Sequence, residues 1–123
     1  MTDKPEIEFP DSPPPTDLEL TDLVVGDGAE AATGATVVAH YVGVAHSTGE
    51  EFDASYNRGE PLAFRLGVGQ VIAGWDQGIA GMKVGGRRQL VIPPQLGYGD
   101  RGAGSAIAPG ETLIFVVDLV DVR

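Results

Sequence analysis

The chain of 123 residues contains no cysteine. That removes disulfides, thiolate nucleophiles, cysteine-ligated zinc and iron–sulfur clusters from consideration. Histidine is scarce, with His40 and His46 alone. Neither has a second histidine or a carboxylate at metal-ligand spacing, so no metal site is expected, and His40 reads as a packed or edge histidine of a strand. No apolar run approaches the ~20 residues of a membrane span. The N-terminal stretch is acidic and proline-rich, the opposite of a secretory signal. Positive charge is also short: 8 basic against 18 acidic residues give a net charge of −10 and a pI near 4.3. Phosphate backbones and anionic bilayers repel such a surface, so neither nucleic acid nor membrane is an expected partner. A cytoplasmic protein is expected, with a processed secreted form as the alternative. Gly-x-Ser-x-Gly elbows, phosphate loops and His-Glu-x-x-His helices are missing. Gly67-Val68-Gly69 lacks a third glycine at Ile72 and reads as a strand-to-helix corner rather than a dinucleotide site.

What is present suits one globular domain. The mass is 12.8 kDa, with 42% hydrophobic and 21% charged residues. Charge is uneven: residues 1–22 carry seven acidic side chains against Lys4. Residues 1–17, with Pro5, Pro10 and Pro13-Pro14-Pro15, read as an acidic, proline-rich tail; Ile7 and Phe9 alternate as in an extended arm. Residues 18–123 read as the folded domain. Strands are expected over Leu18–Val25, Thr36–Ala45, Glu51–Ser55, Pro61–Leu66, Arg87–Ile92 and Thr112–Val120. In the last of these, Leu113, Phe115, Val117 and Leu119 share one face, which must be buried, and the other face is mixed. The one helical stripe is Ile72, Trp75, Ile79 and Met82, interrupted by Gly74 and Gly78. Each glycine costs up to about 1 kcal/mol in a helix interior, so packing must hold this helix, and small residues let a strand layer come close. The pattern implies an α+β domain of antiparallel strands curled around one short helix. Gly97–Gly110, long and aperiodic, is expected to be a functional loop.

With catalytic constellations absent, the notable feature is a density of aromatic and aliphatic residues beside turns: Tyr41, Phe52, Phe64, Val71, Ile72, Trp75, Tyr98 and Phe115. They form either a core or a ligand pocket. The lone Trp75 in a glycine-flanked segment and Tyr98 between Gly97 and Gly99 favour a pocket, with apolar walls and a few placed polar groups.

Five blocks then resemble the FKBP-type peptidyl-prolyl cis–trans isomerases in order and spacing. They are His40-Tyr41-Val42-Gly43, Gly49-Glu50-Glu51-Phe52-Asp53-Ala54-Ser55, Val71-Ile72-Ala73-Gly74-Trp75-Asp76-Gln77-Gly78-Ile79, Pro93-Pro94-Gln95-Leu96-Gly97-Tyr98-Gly99 and Thr112-Leu113-Ile114-Phe115. The resemblance spans about Leu18 to Val122. It implies a five-stranded, strongly twisted antiparallel sheet, a half-barrel, wrapped around one short helix. It implies a pocket with Trp75 as floor, Tyr41, Phe52, Leu62, Val71, Ile72, Ile107 and Phe115 as walls, and Asp53 and Tyr98 as polar groups. The Ile72 N–H would donate to a substrate carbonyl, and Arg58 would orient Asp53. Leu62 and Gln70 depart from the aromatic and the glutamate common in the family, and Ala103, Ser105, Ala106 and Ala108 lighten the long loop.

The activity so implied is rotation of X–Pro bonds in peptides and partly folded proteins, without cofactor or metal, by a monomer. Asp53, Tyr98, Ile72, Phe52 and Trp75 would act on the bond, while Tyr41, Arg58, Leu62, Val71, Ile107 and Phe115 would bind substrate. Macrolides such as rapamycin and tacrolimus are implied ligands. The rival reading is a non-catalytic module that binds proline segments or macrolides. A folding helper with a separate client surface is the weaker third, since Gly99–Pro109 leaves no room for an inserted domain.

Overall fold

The strand Thr36–Ala45 organises the molecule. Its threonine, valines and tyrosine suit an extended chain, where β-branched and aromatic side chains pack well. In the computed structural model, which describes residues 14–102 and 107–123, the elements run β1 (Glu19–Val24), β2 (Thr36–Ala45), β3 (Glu51–Ala54), α1 (Ser55–Arg58), β4 (Leu62–Arg65), α2 (Ala73–Gly78), β5 (Arg87–Ile92), a 3₁₀ turn (Pro94–Leu96) and β6 (Leu113–Val122). The reading of residues 1–13 as a tail and the substitutions at Ala103, Ser105 and Ala106 lie outside the described residues.

The sheet is antiparallel throughout, in the order β1-β5-β6-β2-β3, with β4 also paired to β2. β6 runs along one edge of β2. On the other edge, β4 pairs with Thr36–Ala39 and β3 with Val42–Val44. Six strands therefore occupy five positions, the last position being one strand line broken in two. The five-stranded expectation fits the positions, and the break accounts for the sixth strand. Two single turns, α1 and the 3₁₀ turn, join the one expected helix; a single turn is too short to show helical periodicity.

The inner face of the sheet carries the core: Val37 and Ala39 of β2, Leu90 and Ile92 of β5, and Leu113, Phe115, Val117 and Leu119 of β6. On the outer face of β6, expected to be mixed, Ile114, Val116 and Asp118 are buried and Val120 is half-buried. Asp118 on that face is only 1% exposed. Its charge is balanced by Arg87 at 2.6 Å, and it accepts a hydrogen bond from the Tyr56 hydroxyl. Hydrogen bonding to Asp118 in turn raises the pKa of Arg87.

Helix α2 lies against this inner face through its glycines. A Cβ at Gly74 would stand 2.6 Å from Ile92, and one at Gly78 2.5 Å from Leu90. The helix gives up intrinsic stability so that its backbone can approach the sheet. Arg88 fastens its end, donating to the Gly78 and Ala80 carbonyls at 2.8 and 3.2 Å while pairing with Asp22 of β1 at 2.6 Å.

These opposing terms make a prediction. Gly78→Ala gains up to about 1 kcal/mol of helix propensity but overpacks against fully buried Leu90, which costs about 1–3 kcal/mol. Urea denaturation should show the variant less stable by roughly 1 kcal/mol, whereas an exposed helical Gly→Ala would be stabilising.

Candidate functional site

The break in the strand line opposite β2 opens a cavity. Tyr41, Phe52, Asp53, Leu62, Gln70, Val71, Ile72, Trp75, Tyr98 and Phe115 line it, and its volume is about 410 Å³. This lies within the ~300–1,000 Å³ of small-ligand sites.

Trp75 forms the floor. It is 3% exposed, with the rings of Tyr41 at 4.9 Å, Phe115 at 5.2 Å and Phe64 at 5.6 Å from its own. Tyr41 and Phe115 meet it edge-on, the arrangement that aromatic quadrupoles favour. The indole N–H is buried with no acceptor among the described residues. Such an orphan costs about 1–3 kcal/mol, and ring packing must offset it. Phe64 is buried in the core behind the floor, whereas Phe115 belongs to both core and wall.

The adjoining wall depends on a bulge. Gly43 pairs with Asp53 and Val44 with Glu51, so Phe52 is the extra residue. Consecutive strand side chains normally point to opposite faces. The bulge turns both Phe52 and Asp53 toward the cavity, a common use of bulges beside sites. Gly43 makes room for them: a Cβ there would stand 2.6 Å from Phe52 and 2.7 Å from Phe115. In the sequence Gly43 stands only within a motif block, with no role of its own; a glycine inside a β-branched strand is the signal of such close approach.

Asp53 is held on two sides. The Tyr41 hydroxyl donates to it at 2.5 Å and Arg58 at 2.7 Å, and Arg58 also donates to the Tyr41 oxygen at 2.7 Å. The one-turn helix α1 brings Arg58 back to Asp53 and ends at Gly59, whose φ of 74° suits glycine. Burial works to raise the Asp53 pKa, but the hydrogen bonds from Tyr41 and Arg58 outweigh it and hold the group below 3.8. Burial, reinforced by the bond to Asp53, lifts Tyr41 above 10.0. The bond to Tyr41 and then the one to Asp53 raise Arg58 further into the charged range. Asp53 therefore stays ionised and Tyr41 protonated across the neutral range.

The opposite wall follows the expected corner. Gly67 and Gly69 take φ values of 83° and 79°, and their N–H groups donate to Asp76 of α2 at 2.8 and 3.1 Å. This fixes Gln70, Val71 and Ile72. Ile72 caps α2, its carbonyl accepting from Trp75 and Asp76 at 2.9 and 3.2 Å. Its own N–H has no acceptor among the described residues. Gln70 also lines the cavity; its Oε1 accepts from the Arg65 N–H at 2.8 Å. Tyr98 stands at the mouth, 41% exposed, its hydroxyl bonded to no other described residue.

The structure thus gathers Tyr41, Phe52, Asp53, Leu62, Val71, Ile72, Trp75, Tyr98 and Phe115 around one cavity, with Arg58 behind Asp53. Ile107 departs from expectation. It is 5% exposed and packs into the core cluster rather than the cavity lining.

Residues 28–120 match the family model described as FKBP-type peptidyl-prolyl cis-trans isomerase. The chain belongs to this family. It is 68% identical over 121 residues to an FK506-binding protein of Streptomyces anulatus, covering 98% of each chain. It is 50% identical to the chloroplastic peptidyl-prolyl cis-trans isomerase FKBP13 of Arabidopsis thaliana, over 86% of this chain and 56% of that one. Among solved structures, AtFKBP13 superposes with a TM-score of 0.80 at 49% identity, covering 86% of this chain and 93% of that one. The protein is an FKBP-type isomerase.

Two predictions follow from this geometry. Gly43→Ala forces the Phe52 and Phe115 rings into the isomerase cavity; peptide KM should rise several-fold while circular dichroism keeps its native form. The second concerns pH. Asp53 is depressed in the folded state, so its stability contribution is present above 3.8 and is lost as pH falls through the lower, folded value. Tyr41 is raised, so its contribution is present below 10.0 and is lost as pH rises through the higher, folded value. In urea denaturation the stability difference between wild type and Asp53→Asn should stay constant from about pH 5 to 9 and shrink only in acid.

Proposed function

We propose that this isomerase works by holding an X–Pro amide in its twisted form, with Trp75, Phe52, Phe115, Val71 and Ile72 packing the prolyl ring. The planar amide has a rotational barrier of about 18–20 kcal/mol because resonance gives its C–N bond partial double-bond character. Twisting abolishes that conjugation and the charge separation that goes with it. The planar form is the more strongly solvated of the two, so an apolar cavity that excludes water favours the twisted one. Catalysis by such differential binding needs no nucleophile or proton transfer. Each ~1.4 kcal/mol of preference gives a tenfold rate gain.

The polar groups supply direction. The Ile72 N–H and the Tyr98 hydroxyl grip the carbonyls flanking the proline. Asp53, fixed by Tyr41 and Arg58, biases the rotating carbonyl electrostatically. Leu62 closes the side of the cavity beside Tyr41. In the cell this activity would relieve the slow X–Pro steps of folding, which take about 10–100 s uncatalysed.

The observation that carries this reading is the coincidence of an aromatic floor with two donors at the rim, the Ile72 N–H and the Tyr98 hydroxyl, that have no acceptor among the described residues. The relatives' names extend it to macrolides: FK506, whose bulk exceeds a prolyl ring, would seat one ring on Trp75 and spread over the rim. The rival reading, a module that binds proline segments without turnover, shares the cavity but predicts no acceleration.

A protease-free assay on a short X–Pro peptide separates the two. Wild type should accelerate isomerisation, Tyr98→Phe should lower kcat/KM about tenfold, the loss of ~1.4 kcal/mol, and FK506 should quench Trp75 fluorescence while inhibiting turnover. Peptide binding without acceleration would support the module instead. With no acid–base step, kcat/KM should stay flat across neutral pH; a steep bell-shaped profile contradicts the mechanism.

A further inference from the structure

We infer that Ser55 is a positioning residue for the Tyr41–Asp53 pair, its buried hydroxyl standing in for a missing strand opposite Tyr41. The inference deepens the proposed mechanism and rests on it. β4 pairs with β2 as far as Ala39, and β3 begins pairing at Val42. His40 and Tyr41 fall in the gap, where the sheet offers no backbone partner on that edge. Buried backbone groups without partners are costly, so native structures almost always satisfy them. Here one side chain does so. The Tyr41 N–H donates to Ser55 Oγ at 2.7 Å, and Ser55 Oγ lies 3.3 Å from the Tyr41 carbonyl. Both strand-type bonds of Tyr41 thus end on a single hydroxyl, on a residue that is 0% exposed.

Ser55 is itself held from behind. His40 Nδ1 lies 2.9 Å from the same Oγ, and the His40 ring stacks on Tyr56 with centroids 4.6 Å apart. Tyr56 donates to Asp118, which Arg87 neutralises. The outer face of the sheet therefore fixes the hydroxyl that fixes Tyr41. Ser55 also stands two residues after Asp53 and opens the turn that returns Arg58. One anchor sets both sides of the hydrogen bond between Tyr41 and Asp53. Ser55 does not line the cavity, and its hydroxyl meets Tyr41 and His40, so it acts through Tyr41.

The test is a double-mutant cycle on kcat, with Ser55→Ala, Tyr41→Phe and the pair, each checked for native circular dichroism. Ser55→Ala should lower kcat about tenfold with peptide KM changed less than about twofold. In the Tyr41→Phe background, where no hydroxyl remains to aim, the same change should alter kcat less than about twofold. Equal losses in both backgrounds, or no loss in either, would overturn the inference. If Tyr41→Phe alone leaves kcat unchanged, the proposed role of the Tyr41–Asp53 pair fails first. Should Ser55→Ala not fold, Ser55→Cys preserves the packing with a much weaker hydrogen-bonding group, and the same cycle and outcomes apply.

Discussion

The site depends on a gap in one edge of β2. Had β3 and β4 been one continuous strand, its ladder would have sealed the sheet beside Tyr41. Their separation by Ser55–Pro61 leaves an opening toward the core, floored by Trp75. The gap must be stabilised, because it exposes backbone groups of a central strand to a dry interior. Ser55 meets that need with one hydroxyl, and α1 covers the rest. The bulge at Phe52 is part of the same solution: it ends regular pairing and turns two consecutive side chains inward.

The energetics of the cavity balance local cost against packing. The Trp75 N–H lacks an acceptor among the described residues, α2 carries glycines where alanine would favour the helix, and the cavity itself leaves atoms without neighbours. Against these stand the edge-on rings around Trp75 and fully buried Leu90, Ile92, Leu113 and Leu119 beneath them. The Asp53–Arg58 pair adds little to that sum. Its side chains are 41% and 47% exposed, where water and salt screen most of the attraction. Its value is directional: Arg58 and Tyr41 together leave Asp53 one orientation.

Much of this was legible in the sequence where a periodicity existed to be read. Thr36–Ala45 and Arg87–Ile92 coincide with their strands, and the Ile72–Trp75–Ile79 stripe finds α2 despite its glycines. Other features leave no local signature. Ser55 reads as the last residue of a strand, yet its side chain does what the strand no longer does. Asp76 appears in the sequence only inside a motif block, with no role of its own, yet its carboxylate accepts from the Gly67 and Gly69 N–H groups and holds that corner. The resemblance makes Ile107 a wall, whereas here it belongs to the buried core cluster and does not line the cavity. The five-block resemblance carried most of the site, since residues far apart in the chain converge only through the sheet.

The separation of floor from rim explains how such a site can vary without losing its chemistry. Trp75, Tyr41 and Phe115 are locked by one another and by the sheet, so changing any of them disturbs the core as well as the cavity. Leu62 and Gln70 stand at the periphery, where a change alters contact with whatever flanks the proline. Gln70 spends its carbonyl oxygen on the Arg65 N–H, leaving its amide hydrogens as what it can offer a ligand; a glutamate there would bring a negative charge. A tenfold change in rate or preference needs only ~1.4 kcal/mol, about one hydrogen bond or one methylene group or two. Specificity can therefore drift at the rim by single substitutions, while rotation of the amide, which under the proposed mechanism asks for a dry, rigid hollow with its polar groups held in place, stays tied to the stability of the fold.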